Sequence, residues 1–272
     1  MITSQTILMC EPGYFGVEYV INPWMRDQAG KVDRPLAERQ WQALRTTLAE
    51  YVRLAYVPPE PGVPDMVFTA NAGLVHGERV IVSRFQAPER RREEPHLRRW
   101  FAGNGYTIVE WPDDVAFEGA GDALFDRGQP LLWVGYGFRS DAAAARHVER
   151  SIGCRTVPLR LVDPRFYHLD TCLCPLEGGW LLYYPAAFDG PSQAMIRSLV
   201  PETKRIEVSE ADALQFACNA VNIDGIVILN GASPALQDAL RRAGFTPILI
   251  ALSEFMKSGG AAKCLTLRLT CQ

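Results

Sequence analysis

No stretch of this chain approaches about twenty consecutive apolar residues, so nothing in it reads as a membrane-crossing helix. Histidine is scarce, with four residues. The seven cysteines are scattered, and Cys172 and Cys174 form a CxC, not the CxxC of zinc knuckles or thioredoxin-type redox sites. That pattern suggests neither a structural zinc site nor a disulfide framework, so no metal is expected, and the thiols point to a reducing, cytoplasmic setting. Charge of one sign is lacking too. A net charge of −3 argues against a nucleic-acid footprint. The arginine-rich run "PERRREEPHLRRW" carries acidic residues within it and reads as a solvated helix face. The N-terminus, "MITSQTILMCEPGYFG", has neither the basic start nor the long apolar run of a signal peptide.

What is present is repetition. "DMVFTANAGLVHGERVIVS" reads as two short strands around Asn71-Ala-Gly, followed by a helix from Pro88 to about Ala102 and the strand "YTIVEW". "DALFDRGQPLLWVG" reads as a hairpin turning at Arg127-Gly128, then the helix "SDAAAARHVERSI" and the strand "RTVPLRLV". Two further rounds follow: "DTCLCPLEGGWLLYYP" with its helix and "KRIEV", then "FACNAVNIDGIVILN" with its helix and "TPILIAL". Ser140-Asp141, Pro191-Ser192 and Ser233-Pro234 mark the helix starts. The hairpins begin near Asp65, Asp122, Asp170, Phe216 and Lys263, roughly fifty residues apart, a spacing that signals an array. The fifth unit lacks its helix, and the N-terminus supplies the strand "TILMC" and the helix "RPLAERQWQALRTTLAEYVRL". The expected fold class is therefore α/β, one domain over residues 1–272, with a last unit built from both chain ends. Periodicity alone leaves an ordinary open α/β sheet as the alternative.

Asn71, Glu118 with Asp122, His168 with Asp170, Asn219 and Cys264 all fall at hairpin starts, where equivalent units would bring them to one pocket. Singly each has an ordinary reading. A cysteine is commonly a small core residue, a histidine a hydrogen-bonded one, and an asparagine a turn former. His76, His96 and His147 read as surface residues. Composition and spacing support a pocket with a cysteine and no more.

The set of segments "DMVFTANAG", "PERRREE", "FEGAGD", "GFRSD", "HLDT" and "GGAAKC" resembles the guanidino-group-modifying enzymes. That superfamily holds the arginine deiminases, dimethylargininases, arginine dihydrolases and amidinotransferases. The resemblance spans nearly the whole chain in the family's order and implies a five-bladed α/β propeller of ββαβ units with pseudo-fivefold symmetry. It implies Cys264 as the nucleophile, His168 as the acid and base, Glu118 as its orienting partner and Asp170 as a guanidinium ligand. It implies Asp65 near the substrate amino group and Arg90 and Arg139 on its carboxylate. Asn71 and Asp122 would face the substrate, with Asn22 at the rim. Thiolate chemistry needs no cofactor for this task, and none is expected. The expected partner is a small molecule, L-arginine, with no nucleic acid or membrane; a homo-oligomer stays open.

Asn71 and Ala70 depart from the family's commoner pattern. Deiminases and dimethylargininases typically carry aspartate at the position of Asn71, and dimethylargininases tend to carry glutamate at that of Ala70. "FTANAG" instead looks like the dihydrolases, so the expected activity is arginine dihydrolase, giving ornithine, CO₂ and two ammonia. Alternatives are a deiminase or dimethylargininase giving citrulline, then an amidinotransferase or a non-catalytic ring. The glycines before Cys264 are expected to clear room for a flat substrate head.

Overall fold

The structure, a computed structural model, describes residues 5–269. The alternating apolar pattern forms five three-stranded mixed sheets, each an antiparallel hairpin whose second strand also takes a parallel partner. Four follow chain order: Gly73–His76 with Arg79–Val82 and Thr107–Ile108; Ala123–Phe125 with Leu131–Tyr136 and Arg155–Arg160; Leu173–Leu176 with Trp180–Tyr183 and Arg205–Glu207; Val221–Ile223 with Ile226–Leu229 and Thr246–Leu249. In each, a helix lies between the second and third strands: Glu94–Gly103, Ala144–Ile152, Gly190–Leu199 and Pro234–Arg242. The parallel third strand needs such a crossover, because a tight turn cannot reverse the chain twice.

The fifth sheet joins the two ends of the described chain. Thr6–Cys10 pairs antiparallel with Leu267–Arg268 and parallel with Arg53–Val57, Leu8 lying opposite both Leu267 and Ala55. The repeat and the two-ended fifth unit are therefore as the sequence pattern predicts.

Three expectations are corrected. The first hairpin turns at Gly77-Glu78, where Gly77 takes φ 58°, and not around Asn71; Asn71 sits in a 3₁₀ turn over Thr69–Ala72 just before it. The expected helix from Arg34 to Leu54 ends at Ala49, and Arg53–Val57 is a strand, because pairing with Thr6–Cys10 outweighs local helix preference there. Ser140 and Asp141 do not cap the helix Ala144–Ile152, whose N-cap is Ala143. Their side chains instead reach the neighbouring loop: Ser140 Oγ donates to Asp122 at 2.7 Å, and Asp141 accepts from the Ala116 amide at 2.7 Å. By contrast Ser233 caps Pro234–Arg242 as its sequence signal predicts.

Helices cover the sheets on their outer faces and bury the aromatic residues there. Trp41, on the helix Arg34–Ala49, and Phe101, on Glu94–Gly103, are fully buried. The first strand of every hairpin starts from a short turn that carries one of the chemically interesting residues.

Candidate active site

Those turns meet. A small cavity is lined by Asn22, Asp65, Asn71, Arg90, Arg139, His168 and Cys264, together with Phe68, Tyr167, Ser258 and the two glycines before the cysteine. Seven of the ten residues that the sequence singled out thus share one wall. The cavity measures about 10 Å³, room for a single water.

Cys264 is 4% exposed and held by two neighbours. Its thiol donates to the Asp170 carboxylate, with Sγ 3.5 Å from Oδ2, and accepts from Asn219 Nδ2 at 3.1 Å. Asn219 also fixes the backbone, because its Oδ1 accepts from the amides of Ala261 and Cys264, each at 3.1 Å. Its second amide proton goes to the Asp170 carbonyl at 3.0 Å. One asparagine therefore clamps both the thiol and the backbone of the aspartate beside it. Burial and then the Asp170 charge push the thiol well above its ordinary range. Burial likewise raises Asp170 to about 6, opposed by the positive charge of Lys263.

His168 Nε2 lies 2.7 Å from Glu118 Oε2. Burial by itself would raise Glu118, but Arg139, then His168 and Arg90, outweigh it and hold the carboxyl at about 2. The ionised Glu118 fixes the orientation of the His168 ring through this hydrogen bond. Arg139 donates to Glu118 at 3.2 Å and to the Ile21 carbonyl at 2.9 Å, its guanidinium 4.7 Å from the Tyr167 ring centre.

Arg90 is more heavily engaged than a free carboxylate grip would be. It forms a two-pronged pair with Glu93 at 2.7 and 2.8 Å, and donates to Asn71 Oδ1 at 2.9 Å and to the Asp65 carbonyl at 3.2 Å. That uses four of the five N–H donors of a guanidinium. Asn71 Nδ2 donates to the Glu118 carbonyl at 3.0 Å. One lone pair and one N–H of the amide remain for a ligand.

The outer end is polar as well. Asp65 accepts from Tyr19 Oη at 2.8 Å and from Ser258 Oγ at 2.9 Å. Asn22 turns its Oδ1 to the amides of Trp24 and Met25 and its Nδ2 to the Ser258 carbonyl, so it caps a 3₁₀ turn as well as lining the cavity.

Glu118, Asp122 and Asp170 stand outside this lining. Glu118 and Asp170 act on it through His168 and Cys264. Asp122 is one layer further back, accepting from Ser140 Oγ at 2.7 Å and from the Leu169 amide at 3.0 Å. Burial raises its carboxyl to about 6 even though His168 pulls the other way.

Close packing, more than ligand space, explains the glycines. Gly259 has φ 85°, and a β-carbon there would lie 2.6 Å from the Tyr167 hydroxyl. Tyr167 fills the space beside Gly259, and both glycines also line the cavity next to Cys264. A β-carbon on Gly121 would collide with the Asn71 side-chain nitrogen. Gly121→Ala is expected to destabilise the protein by about 1–3 kcal/mol through that overpacking, read by urea unfolding. A change under about 0.5 kcal/mol would show that the Asn71 amide is free to move aside.

Asn219, Tyr19, Ser258 and Tyr167 received no role from the sequence. Asn219 alone had a signal, since it occupies the hairpin start of the fourth repeat, where the other repeats hold Asn71, Asp122, Asp170 and Cys264.

Five α/β sheets presenting a buried thiol, a histidine–glutamate pair and paired amide and carboxylate groups to one cavity define a guanidino-group-modifying site. The chain belongs to the dimethylarginine dimethylaminohydrolase family: the model described as "N,N dimethylarginine dimethylhydrolase, eukaryotic" matches residues 27–271. It is 53% identical over 270 residues to the Nostoc bifunctional arginine dihydrolase/ornithine cyclodeaminase AgrE, a match covering 99% of this chain and 38% of that protein. The chain thus spans little more than a third of the length of that curated relative. The Mycobacterium tuberculosis N(G),N(G)-dimethylarginine dimethylaminohydrolase is 41% identical over 266 residues, covering 96% of this chain and 84% of that one. Among solved structures, the N-terminal domain of ArgZ, a cyanobacterial arginine dihydrolase captured as a C264S mutant with substrate, matches with TM-score 0.97 and 52% identity over 98% of both chains. An N71S form of that same domain holds a covalently bound reaction intermediate.

Proposed function

We propose that the chain is an arginine dihydrolase, converting L-arginine and two waters to L-ornithine, CO₂ and two ammonia without a cofactor, in the cytoplasm. On this reading the five sheets close into a five-bladed α/β propeller, a single catalytic domain over residues 1–272. The observation that carries the activity is the Asn71 amide, held by Arg90 and the Glu118 carbonyl in the same cavity as the Cys264 thiol.

The substrate guanidinium adds a second cation, beyond Lys263, beside Asp170 and the thiol. Its charge favours the thiolate, and the thiol proton is released to solvent as the guanidinium binds, so the nucleophile forms where the substrate is. Cys264 Sγ bonds to the guanidinium carbon, and ammonia departs with a proton from His168. His168 then takes a proton from water, which attacks the same carbon and releases the thiolate from citrulline. Glu118 keeps the His168 ring oriented throughout by its contact with Nε2.

Asn71 sets what happens next. A neutral ureido group offers a carbonyl acceptor that a ring of carboxylates cannot satisfy, and leaving it unmatched costs about 1–3 kcal/mol. The spare N–H of Asn71 satisfies it, so citrulline is held for a second attack. The thiolate expels the second ammonia, which takes a proton from His168; a second water, deprotonated by His168, then frees the carbamate from the sulfur, and the carbamate loses CO₂ to give ornithine. Support comes from the ArgZ and AgrE relatives, the latter captured as a C264A mutant with L-arginine. Arg139 receives the substrate carboxylate, while Arg90, paired with Glu93, holds the Asn71 amide and has one N–H left to offer that carboxylate; Asp65 lies near the amino group.

The test is a time course of ornithine, citrulline and ammonia from L-arginine. Two ammonia per arginine with little citrulline is expected, and Asn71→Asp is expected to make citrulline the main product. Citrulline with one ammonia from the unchanged protein would make it a single-step hydrolase. Unaltered ornithine yield from Asn71→Asp would remove the amide from the explanation.

A further inference from the structure

A second cavity, of about 120 Å³, lies behind the site and is lined from all five sheets, by Ile7, Leu74, Leu124, Leu173, Val221 and Leu267 among others. It follows the first strands of the hairpins, which begin at the turns bearing Asn71, Asp122, Asp170, Asn219 and Cys264. At its other end it shares Phe125, Arg127 and Arg268 with a wider hollow of about 600 Å³ at the hairpin tips. A ligand can therefore reach it from the face opposite the cysteine.

The walls are apolar, and the charged residues among them are Arg127, Lys263 and Arg268, all cationic. The two arginines have partners: both donate to the Asn222 carbonyl, and Arg127 also pairs with Glu177. Lys263 sits at the inner end, next in sequence to Cys264. Its ammonium lies 3.4 Å from each of two carbonyl oxygens, those of Ala120 and Thr266, and makes no ion pair within 4.0 Å among the described residues. Burial pushes the ammonium's pKa below its ordinary value, opposed by the charges of Asp170, Cys264 and Cys174 and assisted by that of Arg268. Three donors on a partly buried ammonium meeting two long contacts leave it under-satisfied, and a carboxylate would complete it with short charge-assisted bonds.

We propose that this inner cavity is a binding site for a small monocarboxylate with an apolar tail, the carboxylate on Lys263 and the tail along the strand-lined wall. The combination of an enclosed apolar wall and one convergent charge is what small-molecule sites are built from. The site is separate from the arginine cavity, from which it differs in lining except at the Lys263–Cys264 step of the chain.

The probe is octanoate, followed by titration calorimetry and by the thermal midpoint, both independent of turnover. Saturable binding that persists in excess L-arginine is expected. Lys263→Met is expected to weaken it about ten- to hundredfold, the loss of a charge-assisted pair. Leu124→Trp, which fills the cavity while keeping the lysine, is expected to abolish it, so a poorly folding lysine variant does not leave the question open. Octylamine, the same tail with the opposite charge, is expected not to bind. Absence of octanoate binding at millimolar concentration, displacement by arginine, equal binding of octylamine, or indifference to Leu124→Trp would each overturn the site.

Discussion

Cys264→Ser is expected to lose at least about 10⁴-fold of ammonia release from L-arginine while still binding it, because removing the nucleophile alone costs most of the rate in covalent catalysts. Serine keeps the shape and can still donate to Asp170 and accept from Asn219, so the pocket stays assembled. A hydroxyl, however, is not ionised by a bound guanidinium, whose charge favours a thiolate but leaves an alcohol far from ionising. Arginine binding by calorimetry alongside product analysis separates the two effects. Turnover within about tenfold of the unchanged protein would remove covalent catalysis at Cys264. Loss of both binding and turnover would instead show that the thiol is needed to hold the cavity open to substrate.

Arg90→Met is expected to produce the largest loss of stability, about 3–5 kcal/mol, because it strands a buried carboxylate. Glu93 is 2% exposed and takes two hydrogen bonds from Arg90. Burial raises its carboxyl to about 7 even with Arg90 opposing, and without the arginine it rises further. The sign follows from that direction. A carboxyl raised in the folded state binds protons that the unfolded chain has released, so stability falls as pH climbs above the ordinary carboxylate range. The deficit of Arg90→Met should therefore be larger at about pH 8 than at about pH 5, read by urea unfolding at each pH. Adding Glu93→Leu should recover much of it by removing the stranded charge. Equal deficits at both pH values, or no recovery in the double variant, would mean that the lost contacts to Asn71 and Asp65 dominate.

The repeat and its chemistry were legible for a common reason. Hairpin starts recur about every fifty residues, and alternating apolar strands with glycine turns leave a mark on local sequence. Cys264, His168, Glu118 and Asp170 could be placed together because each opens a unit, and the cavity and its immediate supports do gather them. Local signals failed where a residue's partner is distant. The Ser140-Asp141 pair looks like a helix cap, yet it serves the Asp122 and Ala116 segments. Arg53–Val57 follows a helix and reads as its continuation, but a strand from the chain's beginning captures it.

The sequence by itself determined the repeating α/β units, the thiol–histidine–carboxylate set and the asparagine that separates this chain from the aspartate-bearing pattern. Only the tertiary structure decided how those groups are poised. Asn219 clamps Cys264 across 45 residues, and Glu93 occupies the arginine that was expected to face substrate. Lys263 meets an apolar cavity behind the site. Burial and the distance to the nearest opposite charge set the protonation of every one of these groups, and neither quantity exists until the five sheets have assembled.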